Sequence, residues 1–126
     1  MSDKKKILCI DDDADLVTYM TTLLEDNGYD TVSAADGAEG LDKAKAEKPD
    51  LILLDITMPE KSGVKFYREV RGDDALKDTP VCMVTGVMEE FKQFISSRKQ
   101  VPPPDGYISK PFEAKELLET VKKLLG

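Results

Sequence analysis

Short apolar runs alternate along this chain with amphipathic stretches. Lys6 to Ile10, Thr31 to Ala34, Leu51 to Leu54, Val81 to Val84 and Tyr107 to Ser109 predict strands. Between them, apolar residues recur at helical spacing. Leu16, Val17, Met20, Leu23 and Leu24 predict one helix face, and Gly28 supplies a stop where φ can turn positive. Asp36 and Glu39 form a capping-box start for a second, short helix through Leu41 and Ala44. Val64, Tyr67 and Val70 mark a third helix, and Phe91, Phe94 and Ile95 a fourth. Leu117, Leu118, Val121, Leu124 and Leu125 repeat the spacing of the first and mark a fifth. Five strands alternating with five helices predict right-handed βαβ units, hence an α/β fold: a doubly wound parallel sheet with helices on both faces.

The stretch LILLDITMP, Leu51 to Pro59, carries the first chemical signal. A continuous apolar run between Pro49 and Pro59 fits a strand covered on both faces, so Leu51 to Leu54 belong mid-sheet. A lone carboxylate cannot stay in such a core, because its desolvation costs about several kcal/mol. Asp55 is therefore expected where the strand emerges, and in open parallel sheets that edge is where ligands bind.

All strands of a parallel sheet point to the same rim, so the residues that end them converge. The first strand ends in Ile10-Asp11-Asp12-Asp13, the third in Asp55, the fourth in Val84-Thr85-Gly86 and the fifth in Ser109-Lys110-Pro111. Clustered carboxylates repel unless a cation joins them, and oxygen ligands without sulfur or imidazole point to Mg²⁺, with Mn²⁺ as the alternative. Against the negative charges of Asp11, Asp12 and Asp55, a divalent ion and the Lys110 ammonium restore neutrality. Such a site suits a phosphoryl group: metal and Lys110 on its oxygens, a hydrogen bond from the Thr85 hydroxyl, and a carboxylate to attack phosphorus. Asp13, just before Ala14, reads instead as the N-cap of the first helix.

Composition narrows the chemistry. With 126 residues, 40% of them hydrophobic, the chain is expected to be one domain over residues 1–126. No apolar run approaches the ~20 residues of a membrane span, no signal-peptide pattern opens the chain, and a cytoplasmic location is expected. A formal charge of -7 argues against sequence-independent nucleic-acid binding and favours a protein partner. Histidine is absent, which excludes histidine acid–base catalysis, histidine metal ligands and a phosphohistidine-carrier role; any histidine chemistry must come from outside. Cys9 and Cys82 lie in apolar strands and read as buried hydrophobes. In the order 2-1-3-4-5 of a flavodoxin-like sheet the third strand separates them by two spacings of ~4.8 Å, so no disulfide is expected.

Taken together, IDDD, LLDITMP, MVTG and YISKPF resemble, in order and at the ends of the right strands, the four signature segments of the receiver domain of two-component response regulators. The resemblance covers essentially the whole chain and implies the chemotaxis-type, single-domain form. It implies that Asp55 accepts phosphate from the phosphohistidine of a histidine kinase or histidine phosphotransfer protein. Asp11 and Asp12 would organise Mg²⁺, joined by Asp55 and the main-chain carbonyl of Thr57, and Lys110 would contact the phosphoryl oxygen. It further implies a switch pair, Thr85 and Tyr107, a cis peptide before Pro111, and a downstream protein target reached through the surface near the fourth helix, fifth strand and fifth helix. Such a chain is a phosphoacceptor, with self-phosphorylation and autodephosphorylation only, and not an enzyme on other substrates.

Some features depart from the family pattern. SSRKQVPPPDG carries three consecutive prolines, Val101 to Pro104 favours polyproline geometry, and the stretch from Thr85 to Lys110 is longer than is typical of the family. Val87 is apolar where many receivers carry a polar side chain, which would slow hydrolytic water. Other classes compete. Asp11-x-Asp13 also resembles the opening motif of haloacid-dehalogenase-like Mg²⁺-dependent phosphatases, but Asp15 replaces the expected Thr or Val and a cap has little room. Asp11, Asp13 and Asp15 mimic an EF-hand start, but Leu16 replaces its glycine and Thr22 its closing glutamate. A receiver-like interaction module that is never phosphorylated is the remaining alternative.

Overall fold

The computed structural model describes residues 4–55, 62–86 and 104–125, with the backbone alone described at 62–64 and at Thr85. The elements run β1 (Lys6–Ile10), α1 (Ala14–Asp26), β2 (Asp30–Ala34), α2 (Gly37–Glu47), β3 (Leu51–Leu54), α3 (Ser62–Gly72), β4 (Val81–Thr85), β5 (Gly106–Ser109) and α4 (Ala114–Leu125). The helix predicted around Phe91, Phe94 and Ile95 lies outside the described residues, as do Thr57, Val87 and the stretch 101–103. Four helices and five strands are thus seen among the described residues, and α4 is the last of the five predicted helices.

All strand pairs are parallel, in the order β2-β1-β3-β4-β5, which is the expected flavodoxin-like arrangement. The central strands explain the unbroken apolar runs. Successive side chains of a strand point to opposite faces, so Ile7 and Cys9 of β1 join one core while Leu8 and Ile10 join the other. The first core packs Met20 and Leu24 of α1 and Leu117 and Val121 of α4 against the sheet. The second packs Ala44 of α2 and Phe66, Tyr67 and Val70 of α3 against the opposite face. With both faces covered, Ile7 to Ile10 of β1 and Leu51 to Leu54 of β3 are shut away from water, and only Lys6 at the start of β1 reaches solvent.

Local chemistry sets the helix ends. Asp13 caps α1 by accepting from the amides of Asp15 and Leu16, and Gly28 turns the chain out at φ 92°. At the start of α2 Asp36 accepts from the Glu39 amide at 2.8 Å, and Glu39 reaches one residue past the cap to accept from the Ala35 amide at 2.7 Å, a variant of the capping box. Docking contributes more than capping. Burying Met20 and Leu24 stabilises α1 by roughly 3–6 kcal/mol, against about 1 kcal/mol for a cap. The face of α2 that meets β1 is built from Gly37, Gly40 and Ala44. A Cβ on Gly40 would stand 2.6 Å from Ile10 Cδ1, so glycine lets the helix approach the end of β1.

Cys9 lies opposite Leu53 in one ladder and Leu53 opposite Cys82 in the next, so β3 stands between the two thiols. Both are free and buried, and burial pushes each thiol up to about 12.

Candidate functional site

The sheet continues one residue past β1 and β3. The amide of Asp11 donates to the Ala34 carbonyl at 3.1 Å, and that of Asp55 donates to the Ile10 carbonyl at 3.0 Å. Backbone hydrogen bonding therefore sets where the two carboxylates sit, and each residue is only 2% exposed. Lys110, directly after β5, reaches over the end of β4 to bridge them, with Nζ 2.7 Å from Asp11 Oδ2 and 3.2 Å from Asp55 Oδ2. Asp11 Oδ1 also accepts from the Asp13 amide at 2.9 Å. Asp12 is exposed at the mouth of the site, beside a groove of about 700 Å³ between α2 and α3. On the other side of Lys110, the exposed Tyr19 ring lies 6.2 Å from that of Phe112.

Two carboxylates sharing one ammonium are under-compensated. Burial pushes the Asp11 carboxyl above its ordinary range, with the Asp55 charge adding to the effect; the hydrogen bonds from Lys110 and the Asp13 amide pull the other way. Burial by itself would lower Lys110, but its hydrogen bond to Asp11 and the charges of Asp55 and Asp11 hold the ammonium above the ordinary lysine value. Because the folded state binds a proton on Asp11 more readily than the unfolded state, the metal-free fold gains stability as pH falls from neutral through the raised value toward 3.8. Melts in EDTA between pH 7 and pH 4 check this. Wild-type protein is expected to gain relative to Asp11→Asn, in which that titration is absent, and parallel curves would contradict the assignment.

Oxygens from Asp11, Asp12 and Asp55 lie within 4.8 Å of one another. Opposed oxygens on Mg²⁺ lie about 4.2 Å apart, and Mg²⁺ keeps several waters while taking only one or two carboxylates directly. The triad fits a hard, oxygen-seeking cation, with no sulfur or imidazole among its donors.

Thr85 ends β4 with its Cα opposite Ser109, and its hydroxyl lies outside the described atoms, as does Thr57 altogether. Tyr107 lies opposite Met83, half-buried against the core under α2 and α3, and burial raises its phenol. The Lys110–Pro111 peptide is cis. Nothing in the sequence singles out Arg71 and Asp105, whose side chains meet at 2.7 Å across 34 residues. The one available signal is the i,i+4 spacing of Arg71 from Tyr67.

A flavodoxin-like sandwich with buried acids at the ends of β1 and β3 and a lysine after β5 defines the class. The family model of the response regulator receiver domain matches residues 7–122. The chain is 38% identical over 121 residues to the alkaline phosphatase synthesis transcriptional regulatory protein PhoP of Bacillus subtilis, covering 96% of this chain and 48% of that protein. It therefore spans about half the length of that relative. It is 34% identical over 122 residues to the polar-differentiation response regulator DivK of Brucella anthropi, covering 97% of each. Among solved structures, Vibrio cholerae chemotaxis protein CheY4 superimposes with a TM-score of 0.84 at 31% identity, covering 96% of this chain and 98% of that one. The chain belongs to the response regulator receiver domain family of two-component signalling. Among the described residues, no helix is long and apolar enough to cross a membrane.

Proposed function

We propose that residues 1–126 act as one receiver domain that accepts a phosphoryl group on Asp55 and signals by a conformational switch to a protein partner. The observation that carries this reading is the environment of Asp55: a buried carboxylate on the sheet rim, 3.2 Å from the Lys110 ammonium and clustered with Asp11 and Asp12. A carboxylate oxygen of Asp55 attacks phosphorus, a P–O bond forms, and the bond from phosphorus to the donor imidazole breaks with its electron pair going to nitrogen. That imidazole belongs to a histidine kinase or histidine phosphotransfer protein, since this chain has no histidine.

Mg²⁺ or Mn²⁺, bound by Asp11, Asp12, Asp55 and the carbonyl of Thr57, would supply charge stabilisation to the transferring oxygens. Lys110 holds an oxygen of the transferred group, and Thr85 donates its hydroxyl to another. Drawing Thr85 toward the phosphoryl group vacates space for Tyr107, and this displacement biases the signalling surface. The chain acts on its own Asp55 and on no other substrate. The downstream target is a protein, with no direct role for nucleic acid or membrane, and the setting is cytoplasmic.

Incubation with acetyl phosphate tests the reading. Intact mass is expected to rise by one phosphoryl group with Mg²⁺ and to stay unchanged with EDTA. An unlabelled protein in saturating Mg²⁺ would leave a receiver-like interaction module.

A further inference from the structure

Arg71 stands at the C-terminal end of α3 with its side chain only 10% exposed. Its guanidinium contacts four residues in three segments. One terminal nitrogen donates to the carbonyls of Lys77 at 3.1 Å and Thr79 at 2.8 Å, in the connection leading into β4. The other donates to Asp105 Oδ2 at 2.7 Å, while Nε makes a longer contact of 3.4 Å with the Tyr67 hydroxyl. The guanidinium carbon also lies 5.1 Å from the Tyr67 ring centroid. A planar fork with several fixed donors is suited to this junction, and the point charge of a lysine is not.

Asp105 is the root of β5. The carboxylate oxygen that takes Arg71 also accepts from the Val81 amide at 2.9 Å, and the Asp105 amide donates to the Val81 carbonyl at 2.9 Å. These bonds precede the ladder that pairs Cys82 with Gly106 and Thr85 with Ser109. Upstream stand Pro102, Pro103 and Pro104, which carry no N–H, so Asp105 is the first residue after Val101 able to donate to β4. β5 has four residues and, among the described residues, lies at the edge of the sheet with β4 as its one neighbour. Its placement therefore leans on the junction at its root, and Lys110 follows immediately at its far end.

Resting on the acceptor role proposed for Asp55, we infer that Arg71 is a positioning residue for Lys110: by clamping Asp105 against the start of β4, it sets the placement of β5 and so of the ammonium between Asp11 and Asp55. Roughly 17 Å of strand separates the clamp from Lys110, so the effect travels through strand placement and not through contact.

The test compares wild-type and Arg71→Met protein. Amide exchange in EDTA is expected to quicken at Tyr107 and Ile108 while β1 and β3 keep their protection. Labelling by acetyl phosphate in saturating Mg²⁺ is expected to slow by about ten- to a hundredfold. The half-saturating Mg²⁺ concentration should not rise, because the three acids follow β1 and β3 and a displaced ammonium competes less for Asp11 and Asp55. In a Lys110→Ala background the same substitution should change labelling by less than about twofold, since the group being positioned is gone. Unchanged β5 exchange, a wild-type labelling rate, or an equal slowing with and without Lys110 overturns the inference. If Arg71→Met does not fold, Asp105→Asn, which removes the charge but keeps an acceptor for the Val81 amide, is judged by the same criteria. Failure of the acceptor reading shows separately, as an unlabelled wild-type protein, and β5 exchange then decides the role of the clamp by itself.

Discussion

Asp55→Asn is expected to abolish phosphoryl incorporation from acetyl phosphate under conditions that label the wild-type protein, while keeping the fold. An amide oxygen has neither the charge nor the nucleophilicity of a carboxylate, so the covalent step has no substitute at that position. The fold is retained because position 55 is held by the hydrogen bond its backbone N–H donates to the Ile10 carbonyl and by the strand before it, neither of which needs the negative charge. Removing one of three crowded carboxylates also relieves repulsion, so the variant should melt in EDTA at or above the wild-type temperature. Label on the wild-type protein should be stable to acid, labile to alkali and mapped to the peptide containing Asp55. Label persisting in Asp55→Asn would move the chemistry to Asp11 or Asp13 and favour phosphatase-like use of the first strand's acids.

Lys110→Ala should affect both stability and chemistry. Removing one partner of a buried ion pair leaves uncompensated charge and costs about 3–5 kcal/mol; the Lys110 side chain is 23% exposed, so screening by solvent reduces the expectation to about 2 kcal/mol. For a domain of this size that corresponds to a fall in melting temperature of about 6–10 °C in EDTA. The loss should be full at neutral pH. Lys110 is held above 10.5 in the folded state, so its contribution is complete below that value and disappears only as pH rises through the raised one. A divalent cation at the three acids offsets the missing ammonium, and saturation at about a hundred times its dissociation constant restores about 2.7 kcal/mol. Labelling in saturating Mg²⁺ should still fall by about a hundred- to a thousandfold, because the lost donor acts on charge that develops during transfer. An unchanged melting temperature in EDTA would show that the ion pair does not support the fold. A Mg²⁺-induced rise of equal size in Asp12→Ala would show that the cation binds elsewhere.

Some of this architecture is written locally in the chain. β1 and β3 run over the residues their patterns predict, Lys6–Ile10 and Leu51–Leu54, because a strand buried on both faces leaves an unbroken apolar run with sharp polar ends. The acids at those ends were legible for the same reason: a carboxylate directly after such a run must stand at the rim. The caps at Asp13 and Asp36 and the turn at Gly28 depend on neighbours a few residues away, so they too could be read without a fold. Less of the half-exposed strands was legible. β2 begins at Asp30 and β5 at Gly106, each one residue before its predicted start, because pairing to a neighbouring strand and not hydrophobicity decides where an edge strand begins.

What only the tertiary structure decided is which side chains meet. Three consecutive aspartates follow β1, but the strand's exit direction buries Asp11 under Lys110, leaves Asp12 exposed at the mouth and commits Asp13 to the helix cap. Arg71 and Asp105 look like ordinary surface charges in sequence, yet the junction of α3, β4 and β5 joins them, with the arginine largely buried and the aspartate still exposed. Hydrophobic period and turn chemistry are properties of a few adjacent residues, so the chain carries them by itself. The distance between two charges at different strand ends depends on strand order, register and the side-chain reach across the rim, and these exist only once the sheet has assembled.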